Sequence, residues 1–392
     1  FNALIRDGIF SKEDILSYWP AGYPLIILLL SILGKSWALT TLSIMQSFIF
    51  SFAAYLFASQ LVKTRIKKYA YLVFILIILN PTLSLSSIAV GYESLTASGF
   101  LIAAGLIIKD FIEKDNKKFI KYLVINSVIF GLLTFMQPRL ILSGILINLF
   151  WVLIRKGVKV GSLLVIATLA ITLFFPASLI YRNHQAIGVN SISTNLGVTM
   201  NIGAGDKATG GYMKKDYGVL CDTNGTAAQQ DSQKVKCVLD WYLSNPTKAV
   251  KLFYNKTLYF FSPWIGPAAN GTMARNPWLN ISPIANIAST PDGNKLVYGG
   301  FGKLISWLWL LGGIALIIYG FLVLWRLGSL EKFIALMAMI AVSTNWLVSL
   351  ISIGDHRFRL PIMGMTLFLQ AVGLKTLFSR GKVQVVDGPA LR

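Results

Sequence analysis

The sequence predicts an all-α polytopic membrane protein, with about nine spanning helices and one mixed extracytoplasmic loop domain. Three observations predict this class: an apolar composition, a series of long apolar stretches, and a one-sided distribution of Lys and Arg. Of the 392 residues, 55% are hydrophobic and 13% are charged, and the mean hydropathy is +0.64. Soluble domains carry about a quarter charged residues. The apolar excess must therefore face lipid.

Nine stretches are mostly apolar and close to the length that a hydrocarbon core of about 30 Å requires. They are 38–62, 70–90, 93–112, 120–137, 139–154, 160–181, 305–325, 331–352 and 360–378. The fourth and fifth stretches meet at Gln137-Pro138-Arg139, which is either a tight turn outside the membrane or a kink. Residues 23–33 are apolar but short, which suits an interfacial helix.

Lys and Arg residues set the predicted orientation. The connections 63–68, 109–121, 155–159 and 326–332, with the tail after residue 374, together hold eighteen of them. The short connections on the opposite side hold only three arginines. The positive-inside rule places the eighteen in the cytoplasm, where they act as topology signals near anionic lipid. The net charge of +20 is therefore not the mark of a nucleic-acid-binding protein.

This orientation divides the chain into five predicted regions. Residues 1–37 form the remnant of a first extracytoplasmic loop, 38–181 and 304–378 form transmembrane helices, 182–303 form the extracytoplasmic domain, and 379–392 form a cytoplasmic tail. Because residues 1–37 lie outside and no signal peptide is visible, we expect at least one helix before Phe1.

The predicted extracytoplasmic domain contains the two cysteines of the chain, Cys221 and Cys237. On the oxidising side of a membrane, such a pair favours a disulfide that closes a small loop. Two free thiols in a cytoplasmic domain are the alternative.

Candidate functional residues lie at the outer ends of the spans, where an ionisable side chain near hydrocarbon is costly. Asp355, His356, Arg357 and Arg359 stand at the start of the last span. Paired guanidinium groups suit a phosphate or diphosphate, which they bind in a bidentate way. The alternative is that both arginines extend to lipid headgroups.

Glu93 follows Tyr92 in a very short outer turn. Its carboxylate could hold a metal ion, orient a substrate hydroxyl or pair with an arginine; the alternative is an acid favoured by the helix dipole. Arg139 is either a second phosphate ligand or an arginine that extends to the lipid headgroups. The sequence contains no zinc-ligand spacing, Walker-type loop, nucleophile elbow or GxGxxG motif.

Four segments resemble a known family in order along the chain. Residues 18–25 (YWPAGYPL) resemble the PPGYPL signature of GT-C integral-membrane glycosyltransferases, the family-39-like relatives of protein O-mannosyltransferases and aminoarabinose transferases. Residues 191–197 (SISTNLG), followed by 201–203 and 208–212, resemble the stretch that opens their outer domain, and 355–361 (DHRFRLP) resemble their E/D-x-R-[FY]-R-x-P motif. Tyr92-Glu93 resembles a Ser-Glu turn. Ala21 and Gln137 depart from the family pattern.

The resemblance implies a GT-C-like helical bundle and a function. The enzyme would move a sugar from a polyprenyl-phosphate donor to an acceptor at the extracytoplasmic face, with inversion. Arg139, His356, Arg357 and Arg359 would bind the donor phosphate, supported by Tyr92 and Asp355, and Glu93 is the catalytic candidate in this chain. The family's aspartate base would lie upstream of Phe1, so the fragment itself would be inactive.

The partners implied are the polyprenyl-linked sugar and membrane lipid, in the plasma (inner) membrane of a bacterium. A divalent metal is compatible with this reading, but the residues single out no metal ligand. A polysaccharide polymerase or ligase that uses polyprenyl-linked sugars is one alternative. A transporter or lipid flippase is another, although transporters usually carry polar groups near the midplane of the bilayer.

Overall fold

The computed structural model describes residues 2–212, 218–262 and 289–379. Within these ranges all regular structure is helical and no strand occurs, so the all-α class is confirmed there. The mixed secondary structure predicted for the extracytoplasmic domain is not confirmed. The predicted cytoplasmic tail lies outside the described residues beyond Ser379.

The described helices are short near the N-terminus and in the loop domain, and long elsewhere. In chain order they are α1 (Asn2–Asp7), α2 (Ile15–Tyr18), α3 (Gly22–Leu30), α4 (Ala38–Val62), α5 (Lys67–Ile78), α6 (Pro81–Ile88), α7 (Glu93–Glu113), α8 (Asn116–Met136), α9 (Ile141–Ile187), α10 (Leu196–Ile202), α11 (Ala227–Ser244), α12 (Pro246–Phe261), α13 (Pro291–Tyr298), α14 (Gly300–Trp325), α15 (Ser329–Ile351) and α16 (Met363–Phe378), with short 3-10 turns at Ser31–Leu33, Pro138–Leu140 and His356–Ile362.

Seven of the described helices are long and apolar enough to cross a membrane, or up to eight if the bent pair α5 and α6 forms one span. The chain is therefore a multi-pass membrane protein by the length and composition of its helices. The pair bends by 53°. Pro81 supplies no N–H to α5, and Asn80 caps α6 by accepting a hydrogen bond from the Leu83 N–H at 3.1 Å. The helix therefore breaks at this point.

The predicted count of nine spans is not confirmed, because the stretches 139–154 and 160–181 both fall within α9. This helix is interrupted at Gly157, whose backbone is non-helical with φ 69°. Asn148 and Thr172 both hydrogen-bond to Ser127 of α8, at 3.5 and 3.3 Å. In a straight helix they would be separated by about 36 Å. The chain therefore reverses direction at Gly157, and each half packs beside α8.

The basic connections gather at one end of the bundle. Arg155 forms an ion pair with the buried carboxylate of Asp110 at 3.1 Å, and the Lys375 side chain donates to the Lys68 carbonyl. Leu56 of α4 lies against Gly105 of α7, so the cytoplasmic ends predicted for these two helices are level. Glu93 begins α7, about 30 Å from its basic end. The structure thus separates the two groups of charges as the sequence predicts.

The loop domain covers the end of the bundle at which Glu93 lies. Helices α10, α11 and α12 share a small apolar core that includes Met200, Val238, Tyr242 and Leu252. Cys221 and Cys237 are joined by a disulfide beside α11. Helix α9 continues to Ile187, past the predicted boundary at residue 182.

A buried arginine ties the N-terminal segment to this end of the bundle. Arg182, in the last turns of α9, donates hydrogen bonds to the backbone carbonyls of Ile9, Ser11 and Leu16. The predicted 1–37 region is thus anchored on the same side as the loop domain. Its apolar helix, Gly22–Leu33, is shorter than a span, as expected for an interfacial segment.

Candidate functional site

The centre of the candidate site is the 3-10 turn His356–Ile362 that precedes α16. The Asp355 side chain accepts a hydrogen bond from the Arg357 N–H at 2.9 Å, and the Asp355 carbonyl accepts one from the Phe358 N–H at 2.9 Å. Asp355 therefore caps the turn.

Arg357 is paired with Glu93. The Arg357 Nε donates to Glu93 Oε1, and the guanidinium carbon lies 5.6 Å from the centre of the Tyr92 ring. The Glu93 side chain is 9% exposed, whereas that of Arg357 is 43% exposed. Of the three roles predicted for Glu93, the structure contains the ion pair. Gly91 makes room for it, since a Cβ there would lie 2.4 Å from Glu93 Oε2.

The side-chain nitrogens of Arg139 are buried and have no hydrogen-bond acceptor among the described residues. Its guanidinium lies over the Phe358 ring, 3.9 Å from the ring centre, and beside the Glu93–Arg357 pair. All three of its side-chain nitrogens are buried, and none has a hydrogen-bond partner among the described residues. A buried cation in this state is costly unless an anion compensates it. This arrangement suits an oxyanion at the turn.

His356 is 2% exposed and lies beneath the turn. Its Nδ1 is 3.3 Å from Asp355 Oδ1, but the angle is not that of a hydrogen bond, and neither ring nitrogen has a partner in the described part of the chain. The structure therefore brings His356 close to the arginines without giving it a direct contact to them.

Arg359 points to different elements from Arg357. It donates from Nη1 to the Phe261 carbonyl at 2.7 Å and from Nη2 to the Ser262 carbonyl at 3.2 Å, at the end of α12. Its Nε is buried and has no partner within the described ranges. The two arginines thus contact different elements: Arg357 contacts Glu93, and Arg359 contacts the end of α12.

Arg359 also lines a cavity of about 270 Å³ between α14, α16 and the break at Asn80. Polar groups in its wall come from Asn80, Arg359 and Gln370, while Trp309, Ile317 and Met363 contribute apolar surface. Apolar walls with a few converging polar groups are typical of small-molecule sites. The combination suits an amphiphile with an anionic head.

The family-like segments converge on this site. Gly22 packs so closely on α8 that a Cβ would lie 2.0 Å from the Phe135 carbonyl oxygen. The next residue, Tyr23, donates from its hydroxyl to Gln46 at 3.0 Å, and its ring packs edge-on against Tyr92. Tyr92 in turn accepts a hydrogen bond from the Gln137 side chain at 3.1 Å. Residues 18–25 therefore support the turn that holds Glu93.

The glycine-rich segment 201–211 packs on the chain that leads into the turn. A Cβ on Gly203 would lie 1.9 Å from the Ser352 carbonyl oxygen, and the Gly354 N–H donates to the Gly210 carbonyl at 2.8 Å. These glycines allow backbones to approach each other. These backbone contacts explain why the segment is rich in glycine, and a nucleotide-binding loop is not needed to explain it.

Sequence analysis missed Lys256. Its side chain is fully buried, and Nζ donates to the Tyr242 hydroxyl at 2.7 Å and to the carbonyls of Leu350 and Ser352 at 2.8 and 2.6 Å. Burial lowers the pKa of Lys256 to about 7. The signal was present in α12, where Lys256 shares a helical face with the buried residues Ala249, Leu252 and Phe260.

The described residues contain no group of three or more His, Cys, Asp or Glu side chains that could hold a metal ion. Comparisons with protein-family models, with curated proteins and with solved structures found no match to this chain.

Proposed function

We propose that this protein is an integral-membrane glycosyltransferase of the GT-C type. It would move a sugar from a polyprenyl-phosphate donor to an acceptor at the extracytoplasmic face, with inversion, in a bacterial plasma membrane. The observation that carries the proposal is a set of buried side-chain nitrogens on Arg139 and Arg359 that have no hydrogen-bond partner among the described residues. Arg359 also lines a largely apolar cavity at this end of the bundle. Such a site suits a phosphate attached to a lipid chain.

The chemistry of this transfer explains the need for cations. The acceptor oxygen bonds to the anomeric carbon while the bond from that carbon to the phosphate oxygen breaks, and the bonding electrons leave with the phosphate. A base takes the acceptor proton. Cationic donors placed where the negative charge develops stabilise the transition state.

We assign phosphate binding to Arg139 and Arg359, because both keep buried nitrogens without partners among the described residues. Arg357 flanks them and is held by Glu93. Since the Glu93 carboxylate is already engaged, we assign it to orienting Arg357 rather than to removing a proton. His356 and Asp355 support the turn.

The test uses the full-length protein in lipid nanodiscs, with polyprenyl monophosphate as ligand and free polyprenol as the matched lipid without phosphate. We expect polyprenyl monophosphate, but not free polyprenol, to raise the midpoint temperature of thermal unfolding of the wild type. Arg139→Ala and Arg359→Ala should weaken binding at least about tenfold, since a charge-assisted contact contributes about 1.5–3 kcal/mol.

Arg326→Ala is the control, because Arg326 is an exposed arginine at the opposite end of the bundle. Transfer of labelled sugar from the polyprenyl-phosphate donor to a membrane extract should be lost in both site variants and kept in the control. Unchanged transfer in both site variants would overturn the assignment. Use of a diphosphate donor alone would favour the polymerase or ligase instead, and movement of the lipid between leaflets without transfer would favour a flippase.

A further inference from the structure

The end of α15 is capped by side chains of the loop domain. The last carbonyls of an α-helix have no partner within the helix and must find one elsewhere. Here Lys256 Nζ donates to the carbonyls of Leu350 and Ser352, at 2.8 and 2.6 Å. The Tyr242 hydroxyl donates to the carbonyl between them, that of Ile351, at 3.2 Å, and accepts from Lys256 at 2.7 Å. Two side chains thus satisfy three successive carbonyls.

These carbonyls lead directly into the arginine-bearing turn. Asp355 follows Ser352 by three positions, and the chain between them is held against α12. A Cβ on Gly354 would lie 2.5 Å from the Lys256 Cα, so this backbone rests on the residue whose side chain caps the helix. The Gly354 N–H is bonded to Gly210, also in the loop domain. The position of the turn is therefore set from the loop-domain side.

A lysine is a costly way to fill this place. Its neighbours on the same face of α12 are apolar, and a long apolar side chain such as Met would complete that face without burying an amine. What Met could not supply is the set of donors for the end of α15. The lysine therefore serves to position the turn more than to fill the core.

We infer that Lys256 is a positioning residue that, together with Tyr242, fixes the start of the His356–Ile362 turn. It thereby sets where Arg357 and Arg359 lie. The consequence for sugar transfer rests on the proposed function; the consequence for the turn itself does not. On this inference, the loop domain holds the arginine-bearing turn in position against the bundle.

The test measures hydrogen exchange of backbone amides in the full-length protein in nanodiscs, without any substrate and at about pH 6, below the pKa of about 7 of the buried Lys256 amine, so that the amine is charged. In Lys256→Met we expect the amides of 352–358 to exchange about tenfold faster, since loss of hydrogen bonds to a charged group removes that much local stability. Exchange in α8 should not change. Lys251→Met is the matched control, because Lys251 lies on the exposed side of the same helix.

A second pair of variants separates the donors from the charge and remains informative if Lys256→Met fails to fold. Lys256→Gln keeps two N–H donors without the charge and should give exchange between the wild type and Lys256→Met. Tyr242→Phe removes only the hydroxyl and should speed exchange at 352–358 by a smaller factor. Exchange at 352–358 equal to the wild type in both Lys256→Gln and Tyr242→Phe would overturn the inference.

Transfer kinetics form the other arm. In Lys256→Gln we expect kcat to fall with little change in the KM of the acceptor, because the fully buried lysine is out of reach of a bound acceptor. If the wild type shows no transfer from any polyprenyl-phosphate donor, the proposed function fails, while the exchange measurements still decide the role of Lys256.

Discussion

Arg357 and Arg359 stand two positions apart, yet they contact different elements. In a 3-10 turn there are three residues per turn, so side chains two positions apart point about 120° away from each other. Arg357 therefore reaches Glu93 of α7, while Arg359 reaches the end of α12. The pattern of two arginines predicted a common target, which would hold for an extended strand, in which alternate side chains share a face.

The Glu93–Arg357 pair should behave as a coupled unit. Removing either partner leaves the other without its contact, and Glu93 is the more buried of the two. We expect Arg357→Gln to cost about 1–3 kcal/mol of unfolding free energy, because a buried carboxylate is left unsatisfied. The double variant Glu93→Gln/Arg357→Gln should cost less than the sum of the single variants. Chemical denaturation of all four proteins measures the coupling; strictly additive losses would contradict it.

The buried amine of Lys256 should make stability depend on pH. Burial lowers its pKa to about 7, whereas an unfolded lysine titrates near 10.5. Between these values the unfolded chain binds more protons, so the free energy of unfolding should rise with pH, by up to about 1.4 kcal/mol per pH unit. This stabilisation is complete above the unfolded pKa and is lost as the pH falls towards the folded pKa.

Thermal midpoints at several pH values between about 7 and 10 measure this dependence, compared between the wild type and Lys256→Met. Tyr242 is the titratable partner of the amine, and its other two partners are backbone carbonyls. The variant should show a shallower rise. Equal slopes in the two proteins would show that the lysine does not carry the effect.

The residues of the site were partly predictable. Arg139, Arg357 and Glu93 were singled out because they are charged at the ends of apolar stretches, and the structure brings them together. Lys256 was not, because its helix lies in a region that reads as a polar loop domain, and its partners are backbone carbonyls distant in sequence. A pattern of residue types cannot identify a contact to a carbonyl.

At the scale of the elements, the loop domain meets the bundle through close backbone packing. Gly203→Ala should force apart α10 and the chain after α15, because the added methyl group would overlap the Ser352 carbonyl. We expect a loss of about 1–3 kcal/mol, seen as a lower thermal midpoint. Gly312→Ala is the control, since nothing lies within 4 Å of a Cβ there and α14 is a regular helix. A wild-type midpoint in Gly203→Ala would exclude this packing.

Helix α9 shows which features of a membrane span an apolar sequence pattern can predict and which it cannot. The pattern separates 139–154 from 160–181 at the basic residues 155–159, and the chain reverses at Gly157 within that interval. The sequence does not reveal that the break between the two helical halves is confined to one non-helical residue, Gly157, with almost no connecting loop. A glycine with positive φ makes such a tight reversal possible. With these halves counted as two spans, and with the bent pair α5 and α6 counted as one, the total would be the predicted nine.

For the molecule as a whole, orientation is the open prediction. Single cysteines at Asp206, Lys117 and Lys159 would report on the loop domain, the basic end of α8 and the reversal in α9. With a membrane-impermeant thiol reagent on intact cells, we expect Asp206→Cys to react and Lys117→Cys and Lys159→Cys to react only after permeabilisation. The native cysteines are disulfide-bonded and should stay silent. Labelling of Lys159→Cys in intact cells would reject the predicted orientation, and labelling of both Lys159→Cys and Asp206→Cys would reject the nine-span count.

Composition and hydropathy were enough to predict the class of fold and the separation of charges between the two ends. They could not predict that the described part of the loop domain is helical, because α11 and α12 are amphipathic helices that complete their burial against one another and against the end of the bundle. Burial against another element is a tertiary property, and it overrides local propensity.

If the proposed function holds, the size of the cavity beside Arg359 limits how much of the lipid donor the protein can enclose. A cavity of 150 Å³ holds about one benzene ring, so 270 Å³ can enclose only the first few carbons of a polyprenyl chain. The remaining isoprene units would stay among the acyl chains of the bilayer, in the same surroundings whether or not the head is bound. A donor trimmed to a few isoprene units should then serve as well as the natural length, provided that it still partitions into the membrane.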